Sequence, residues 1–345
     1  MTNRDKSTQE IRLPVGKLPL GILEGCLKKI PIGDKNVLVG PQIGEDAAVI
    51  AFGDQTLIFK TDPITFATND IAKYLIAVNS NDIATMGGIP KYMLTTLLLP
   101  EATATNYLAE DILSGIIEAC NEAEITLVGG HTEITYGIDR PITVGFMIGI
   151  CPQGKIIKTS GSMPGDLILL SKGIPIEALA ILAKEMPRPV IGGNIDEKII
   201  QRAKDLIIDP GISVVKEASI ALAQGGVTSM HDPTEGGLAT GLLEVARASN
   251  CGLEVYMEKI PILDLAHMIL PKFAIDPLGA IASGALIVCC KEQNAGKILD
   301  AWKAASISGA IIGRITKGPD LVLYREGKRT ALPTFERDEI ASLFS

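Results

Sequence analysis

The chain has 345 residues, 47% of them hydrophobic and only 4% aromatic, with a formal charge of −8. That length and apolar content suit about two globular domains with an aliphatic core, and the acidic balance argues against a nucleic-acid partner, which asks for a basic face. No apolar run is long enough to span a bilayer and Met1 to Glu10 lacks the apolar stretch of a signal peptide, so a cytoplasmic protein without a membrane partner is expected.

In chain order, residues 1–15 read as a flexible tail. Ile22 to Ile30 reads as a short helix. Ala47 to Phe52 and Thr56 to Thr61 read as strands joined by the hairpin signal Gly53-Asp54-Gln55. Asp70 to Met86 has helical periodicity and is stopped by Gly87-Gly88. Tyr92 to Leu99 reads as a strand and Ala104 to Ala123 as an amphipathic helix. Ile125 to Val128 reads as a buried strand running into a Gly129-Gly130 loop, and Ile142 to Ile150 as a further strand.

A polar, glycine-bearing boundary falls between Cys151 and Pro164. Beyond it come a strand (Asp166 to Ser171), helices (Ile176 to Ala183, Asp196 to Leu206, Gly211 to Ala223) and a Pro/Gly loop (Arg188 to Asn194). Then follow a strand at Val227 to Met230, a helix at Leu238 to Ala248, a strand at Ala285 to Cys290 and a helix at Glu292 to Ala304. Strands near Ala310 to Ile315 and Leu321 to Tyr324 close the series. The pattern gives domains at 16–155 and 160–330, a C-terminal tail at 331–345 and an α+β class. The six cysteines form no C-x-x-C pair and read as reduced core thiols.

Acidic residues in apolar surroundings carry the functional signal, because a buried carboxylate needs a partner or a metal. Asp46 follows Gly44 at a strand entrance, as a turn-forming acid or a site residue. Asp62 follows Thr61 at the end of a strand that Pro63 should stop, as a turn residue or a strand-end ligand. Asn79, Asn81 and Asp82 interrupt an apolar helix whose interior they suit poorly; Asn79 and Asp82 share a face. In Gly129-Gly130-His131-Thr132-Glu133 a strand meets glycines able to offer N–H groups to an anion. His231-Asp232-Pro233-Thr234-Glu235-Gly236-Gly237 joins a strand to a helix N-terminus, either as a plain cap at Thr234 or as an anion site. Together these suggest a divalent cation and a nucleotide phosphate. There is no G-x-x-x-x-G-K-[ST], G-x-S-x-G or H-E-x-x-H, which counts against P-loop NTPases, α/β-hydrolases and zincins.

The ordered series G-E-D-A-A, T-D, N-x-N-D and G-G-H-T-E, followed by Pro164-Gly165-Asp166, Asp232-Pro233-Thr234-Glu235-Gly236-Gly237 and Ser283-Gly284-Ala285, resembles the aminoimidazole ribonucleotide (AIR) synthetase superfamily. The resemblance runs from about Lys17 to about Pro333 and is nearest the HypE-like hydrogenase maturation branch. It implies a two-domain α+β fold in a homodimer. The N-terminal sheets would pair into a central barrel, and the C-terminal domain would be an α/β sandwich. It implies ATP and Mg2+ as cofactors, with Asp46, Asp62 and Asp82 on the metal. Gly44, Asp46, Thr61, Asn79, Gly129, Gly130, Thr132 and Glu235 would line the nucleotide, and Asp82, His131 and Asp232 would be catalytic.

The implied chemistry is phosphoryl transfer to an amide or similar oxygen of a small or protein-bound substrate, with another maturation protein as a further partner. The alternative is a nucleotide-binding regulator or scaffold without turnover. The branch's terminal carrier cysteine has no counterpart in this sequence, which ends Ala341-Ser342-Leu343-Phe344-Ser345 with its last cysteine at Cys290. An intact ATP site without the carrier reaction is therefore expected.

Overall fold

In the computed structural model, which describes residues 13, 16, 18–42, 44–65, 70–187, 190–191 and 195–344, the chain forms two α+β units. The tail expected over 1–15 lies, Leu13 and the neighbouring Gly16 aside, outside the described residues, as does most of the loop at 188–194. A short helix α1 (Leu20–Leu27) precedes strands β1 (Val37–Val39), β2 (Ala48–Phe52) and β3 (Gln55–Ile64). Then come α2 (Ile71–Thr85), β4 (Ile89–Pro100), α3 (Asn106–Glu122), β5 (Thr126–Thr135) and β6 (Ile142–Pro152). Among the described residues these strands make one open sheet, ordered β1-β2-β3-β6-β4-β5 and antiparallel except between β4 and β5. Ile58, Met93, Leu97 and Met147 of the sheet share a core with Leu75 and Ile83 of α2 and Ile116 of α3.

The second unit comprises β7 (Leu167–Ser171), α4 (Ile176–Glu185), α5 (Glu197–Asp205), α6 (Val215–Ala223), β8 (Val227–His231), α7 (Gly237–Ala248), β9 (Gly252–Tyr256), α8 (Asp264–Ile269), β10 (Ile287–Cys290), α9 (Glu292–Ala304), β11 (Gly309–Thr316), β12 (Leu321–Arg325) and β13 (Lys328–Ala331). Its sheet runs β13-β12-β9-β11-β7-β10-β8. Leu238, Leu242 and Val245 of α7 pack on one face. On the other, fully buried Trp302 of α9 donates its indole N–H to Glu217 O at 3.0 Å. Emptying that position would cost roughly 3–5 kcal/mol. No helix among the described residues is long and apolar enough to cross a membrane.

Several elements depart from the sequence reading. β3 does not stop at Pro63 but runs to Ile64 in register with β6, pairing Asp62 with Gly145 and Pro63 with Val144. β2 ends opposite Phe59, so beyond that point β3 is an edge, where proline is tolerated. The Gly129-Gly130 segment is strand, not loop: β5 continues through it as the outermost strand. A side chain at Gly130 would put its Cβ 1.9 Å from Thr95 O, so glycine lets the two backbones pair. The helix expected from Gly211 starts at Val215, after Pro210. Strands β1, β9 and β13 and helix α8 carry too little periodicity to be predicted. Residues 338–344 are not a loose tail: Ile340 and Ala341 are buried, and Asp338 accepts from Gly236 N at 2.7 Å.

Candidate functional site

Strand alternation puts Thr56, Ile58, Lys60, Asp62 and Ile64 of β3 on the face turned toward α2. Thr56 and Ile58 are fully buried, Lys60 and Asp62 partly so, and Thr61 between them is exposed. Lys60 Nζ lies 2.8 Å from Asp82 Oδ2 on α2 and 3.2 Å from Asp62 Oδ2. Burial works against the Lys60 charge, but the attraction of Asp82 and Asp62 outweighs it and raises its pKa, keeping the ammonium charged.

The polar run in α2 is explained residue by residue. Asn79 replaces the missing β2 neighbour of Asp62: its Oδ1 accepts from Asp62 N at 3.0 Å and its Nδ2 donates to Leu75 O at 2.9 Å. Gly145, opposite Asp62, leaves room for it, since a Cβ there would meet Asn79 Nδ2 at 2.5 Å. Asn81 reaches the second unit, donating to Ile212 O at 2.9 Å and accepting from Val214 N at 2.8 Å. Asp82 faces Lys60.

Two further carboxylates converge on Asp82. Asp46 comes from the loop entering β2 and Asp232 from the turn after β8, so the two units contribute one each. Ligand oxygens of Asp46, Asp82 and Asp232 all lie within 4.8 Å of one another. Asp46 Oδ2 and both oxygens of Asp232 are buried without a hydrogen-bond partner. Asp82 Oδ2 meets Lys60 as an ion pair without hydrogen-bonding alignment. Burial pushes the Asp82 carboxyl well above the usual range, against the pull of Lys60 and with the repulsion of Asp232, Asp62 and Asp46. Burial and the nearby Asp46 push Asp232 up to about 6.

His231 closes the arrangement. Its Nδ1 is 2.7 Å from Asp46 Oδ1 and its Nε2 2.9 Å from Glu244 Oε2. Burial opposes a charge on the ring, yet Asp46 and Glu244 outweigh it and raise its pKa well above the ordinary value. Crowded oxygen donors with buried, unpaired lone pairs fit a hard divalent cation such as Mg2+.

The other expected site residues fall in different places. A cavity of about 300 Å³ takes Gly44, Asp46, Lys60, Asp62, Asp82 and Asp232 into its lining. A larger one of about 650 Å³ shares Asp62 and Thr234 with it and adds Glu235. Asp62 thus lies beside the carboxylate triad, where Asp232 takes the third corner. Asn79 is fully buried with its amide committed to β3 and α2, and Thr61 points off the opposite face of β3, so neither lines the cavity as expected. Gly129, Gly130, His131 and Thr132 sit exposed on β5, separated from β3 by β6 and β4, and one chain does not bring them to the triad. His131 contacts Glu133 at 3.5 Å instead. Thr234 does not cap α7; its turn is held by Asp338.

Sequence reasoning does not single out Lys60, Glu244 or Glu45. A lysine in the buried row of an alternating strand is the signal for Lys60. Glu45 accepts from Thr159 N at 3.0 Å and Ser160 N at 3.2 Å, gripping the segment between the units from a position beside Asp46.

Known proteins share this arrangement of domains. Residues 44–151 match the N-terminal domain and residues 163–326 the C-terminal domain of AIR synthase related proteins. A protein of Methanocaldococcus jannaschii named for hydrogenase expression and formation is 30% identical over 304 residues, 86% of this chain and 87% of that one. A thiamine-monophosphate kinase of Pyrococcus horikoshii is 28% identical over 305 residues, 84% of this chain and 88% of that one. The crystal structure of hydrogenase maturation protein HypE in complex with ATP superposes with a TM-score of 0.69 at 21% identity, covering 92% of this chain and 90% of that chain.

Proposed function

This chain belongs to the AIR synthase related family, and on that premise we propose that it is a Mg2+-dependent, ATP-using enzyme that activates an acceptor oxygen by phosphoryl transfer. The observation that carries the reading is the convergence of Asp46, Asp82 and Asp232 with buried, unpaired oxygens. Their relatives support the same chemistry: one is a kinase and another was crystallised with ATP.

In this reading Asp46, Asp82 and Asp232 hold Mg2+. Bound there, the ion would neutralise phosphate charge and favour in-line geometry. Lys60, charged and seated beside the triad, offers N–H donors to a phosphate oxygen. His231 orients Asp46 through Nδ1, with Glu244 fixing the other ring nitrogen, as outer partners of metal ligands commonly do.

A homodimer belongs to the same proposal. Register puts Phe59, Ile148, Tyr92, Leu94 and Phe146 on the sheet face opposite α2 and α3. Phe146 and Tyr92 there are 38% and 42% exposed. A second copy packed on that face would bury this apolar surface.

Calorimetric titration of ATP with and without Mg2+, on wild type and Asp82→Asn, tests the reading. Mg2+-dependent binding lost in the variant supports it; binding indifferent to both the metal and the substitution overturns it. Binding without turnover of ATP favours the regulatory alternative.

A further inference from the structure

Among the described residues, no N–H reaches either oxygen of Asp232. Its place at the third corner of the triad is therefore set by the backbone around it. On one side His231 ends β8, paired with Ile287 of β10. On the other, the turn runs through Gly236 and Gly237, both left-handed at φ +80° and +64°. Glycine has more backbone freedom to lose than any other residue, so a tie from outside the turn decides how firmly Asp232 is held.

Asp338 makes that tie. Its Oδ2 accepts from Gly236 N, 102 residues away in the chain, at 2.7 Å. Its Oδ1 accepts from Ile340 N at 3.0 Å. Gly236 is the N-cap of α7 and has no side chain for a capping box; Asp338 brings the carboxylate that such a box would draw from the helix itself. The segment carrying Asp338 is seated in turn. Glu339 N donates to Gly279 O at 3.1 Å, and Glu339 Oε2 accepts from Asp276 N at 3.2 Å. The same loop accepts from Ala239 N of α7 at Leu278 O, 2.9 Å.

An acid is costly at this position. Asp338 is 6% exposed, and burial pushes its carboxyl up to about 6, against the N–H groups of Gly236, Ile340 and Ile281 and with the repulsion of Glu235. An apolar side chain would avoid that cost; the acid alone supplies the hold on Gly236. It also lies beyond the residues that match the family's two domains, which end at 326.

Resting on the reading of the triad as the Mg2+ site, we propose that Asp338 is a positioning residue for that site: by holding Gly236 N it fixes the turn that carries Asp232 and keeps this ligand at its corner. The metal affinity of the molecule then depends on a residue near the end of the chain that never meets the ion.

Three variants of the full chain test this: Asp338→Ala, Asp338→Asn and Ile340→Ala. Each is measured by Mg2+-ATP calorimetry, by metal-free urea unfolding and by amide exchange over residues 232–240, with Asp82→Asn as the control for the triad. Asp338→Ala should weaken Mg2+-dependent binding about tenfold, as for loss of an outer partner of a metal ligand, and quicken exchange at Gly236. Asp338→Asn keeps an oxygen that can accept from Gly236 N and should recover much of the affinity; it also serves if the alanine variant fails to fold. Ile340→Ala unpacks the same segment but leaves the carboxylate, so it should lower the urea midpoint while Mg2+ affinity stays close to wild type. Unchanged affinity in Asp338→Ala overturns the proposal and leaves the triad standing. Affinity that falls in step with the urea midpoint across all three variants also overturns it, since the role is then structural only. If wild type shows no Mg2+-dependent binding that Asp82→Asn removes, the triad reading fails and the proposal falls with it.

Discussion

Asp46 Oδ1 and His231 Nδ1 stand 2.7 Å apart across the boundary between the two units, with Glu244 holding the far ring nitrogen at 2.9 Å. One imidazolium thus serves two carboxylates on different elements. Replacing it by an uncharged side chain leaves both acids without their cation. His231→Gln is expected to lose roughly 3–5 kcal/mol of stability, the cost of breaking a buried ion pair. Its Mg2+-dependent ATP affinity should fall by about tenfold or more, as when an outer partner of a metal ligand is removed. Denaturant unfolding and calorimetry measure the two effects separately.

The position of Asp62 beside the triad ranks the acids. Asp82→Asn and Asp232→Asn are expected to abolish Mg2+-dependent ATP binding, while Asp62→Asn weakens it less, because Asp62 faces Lys60 and both cavities from outside the cluster. Parallel titrations of the three variants check the order; an Asp62 variant as defective as the Asp82 variant would move the metal toward β3.

Lys60 is the cation lying against Asp82 and Asp62. Lys60→Met should destabilise the metal-free protein by roughly 3–5 kcal/mol, since a buried acid loses its partner. Millimolar Mg2+ should restore much of that loss, because an ion bound only by the folded state stabilises it by mass action. Thermal unfolding with and without Mg2+ shows this as a larger metal-induced rise in Tm than in wild type.

Glu177 gives a pH signature. Burial raises its carboxyl from 4.5 to about 8 in the fold. The folded chain therefore holds this proton more tightly than the unfolded chain, and the contribution to stability is full below pH 4.5 and lost as pH rises through about 8. The loss is on the order of a few kcal/mol. Glu177→Gln cannot ionise, so its stability should decline less between these pH values and exceed that of wild type above pH 8. Unfolding midpoints across the range test the sign.

Asn81 ties α2 to Ile212 and Val214 through two buried hydrogen bonds. Asn81→Ala should cost about 2–4 kcal/mol by leaving a buried N–H and C=O unpaired. Scanning calorimetry should show the transitions of the two units separating.

The acids were legible in the sequence because each interrupts an apolar element: Asp82 in α2 could hardly be placed there without a use. Its neighbours looked equivalent but are not. Asn79 and Asn81 bond to backbone that only the tertiary fold brings near, so their structural roles could not be read locally. The Gly129-Gly130 pair suggested a loop because glycine is usually a breaker, whereas here it admits close backbone pairing with Thr95. The contribution of Lys60 depends on counting strand positions through Pro63, which the sequence marks as a stop. The closure of the triad by Asp232 needs the second unit to fold back, and no spacing within a strand or helix encodes that.

Glu45 and Asp46 are adjacent, yet one grips the connecting segment at Thr159 and Ser160 while the other faces Asp232. The angle between the halves of the molecule and the spacing of the carboxylates are therefore one mechanical variable. A rotation small at the connector becomes a displacement at the acids, so alignment of the two halves sets the tolerance to which any guest between them is gauged.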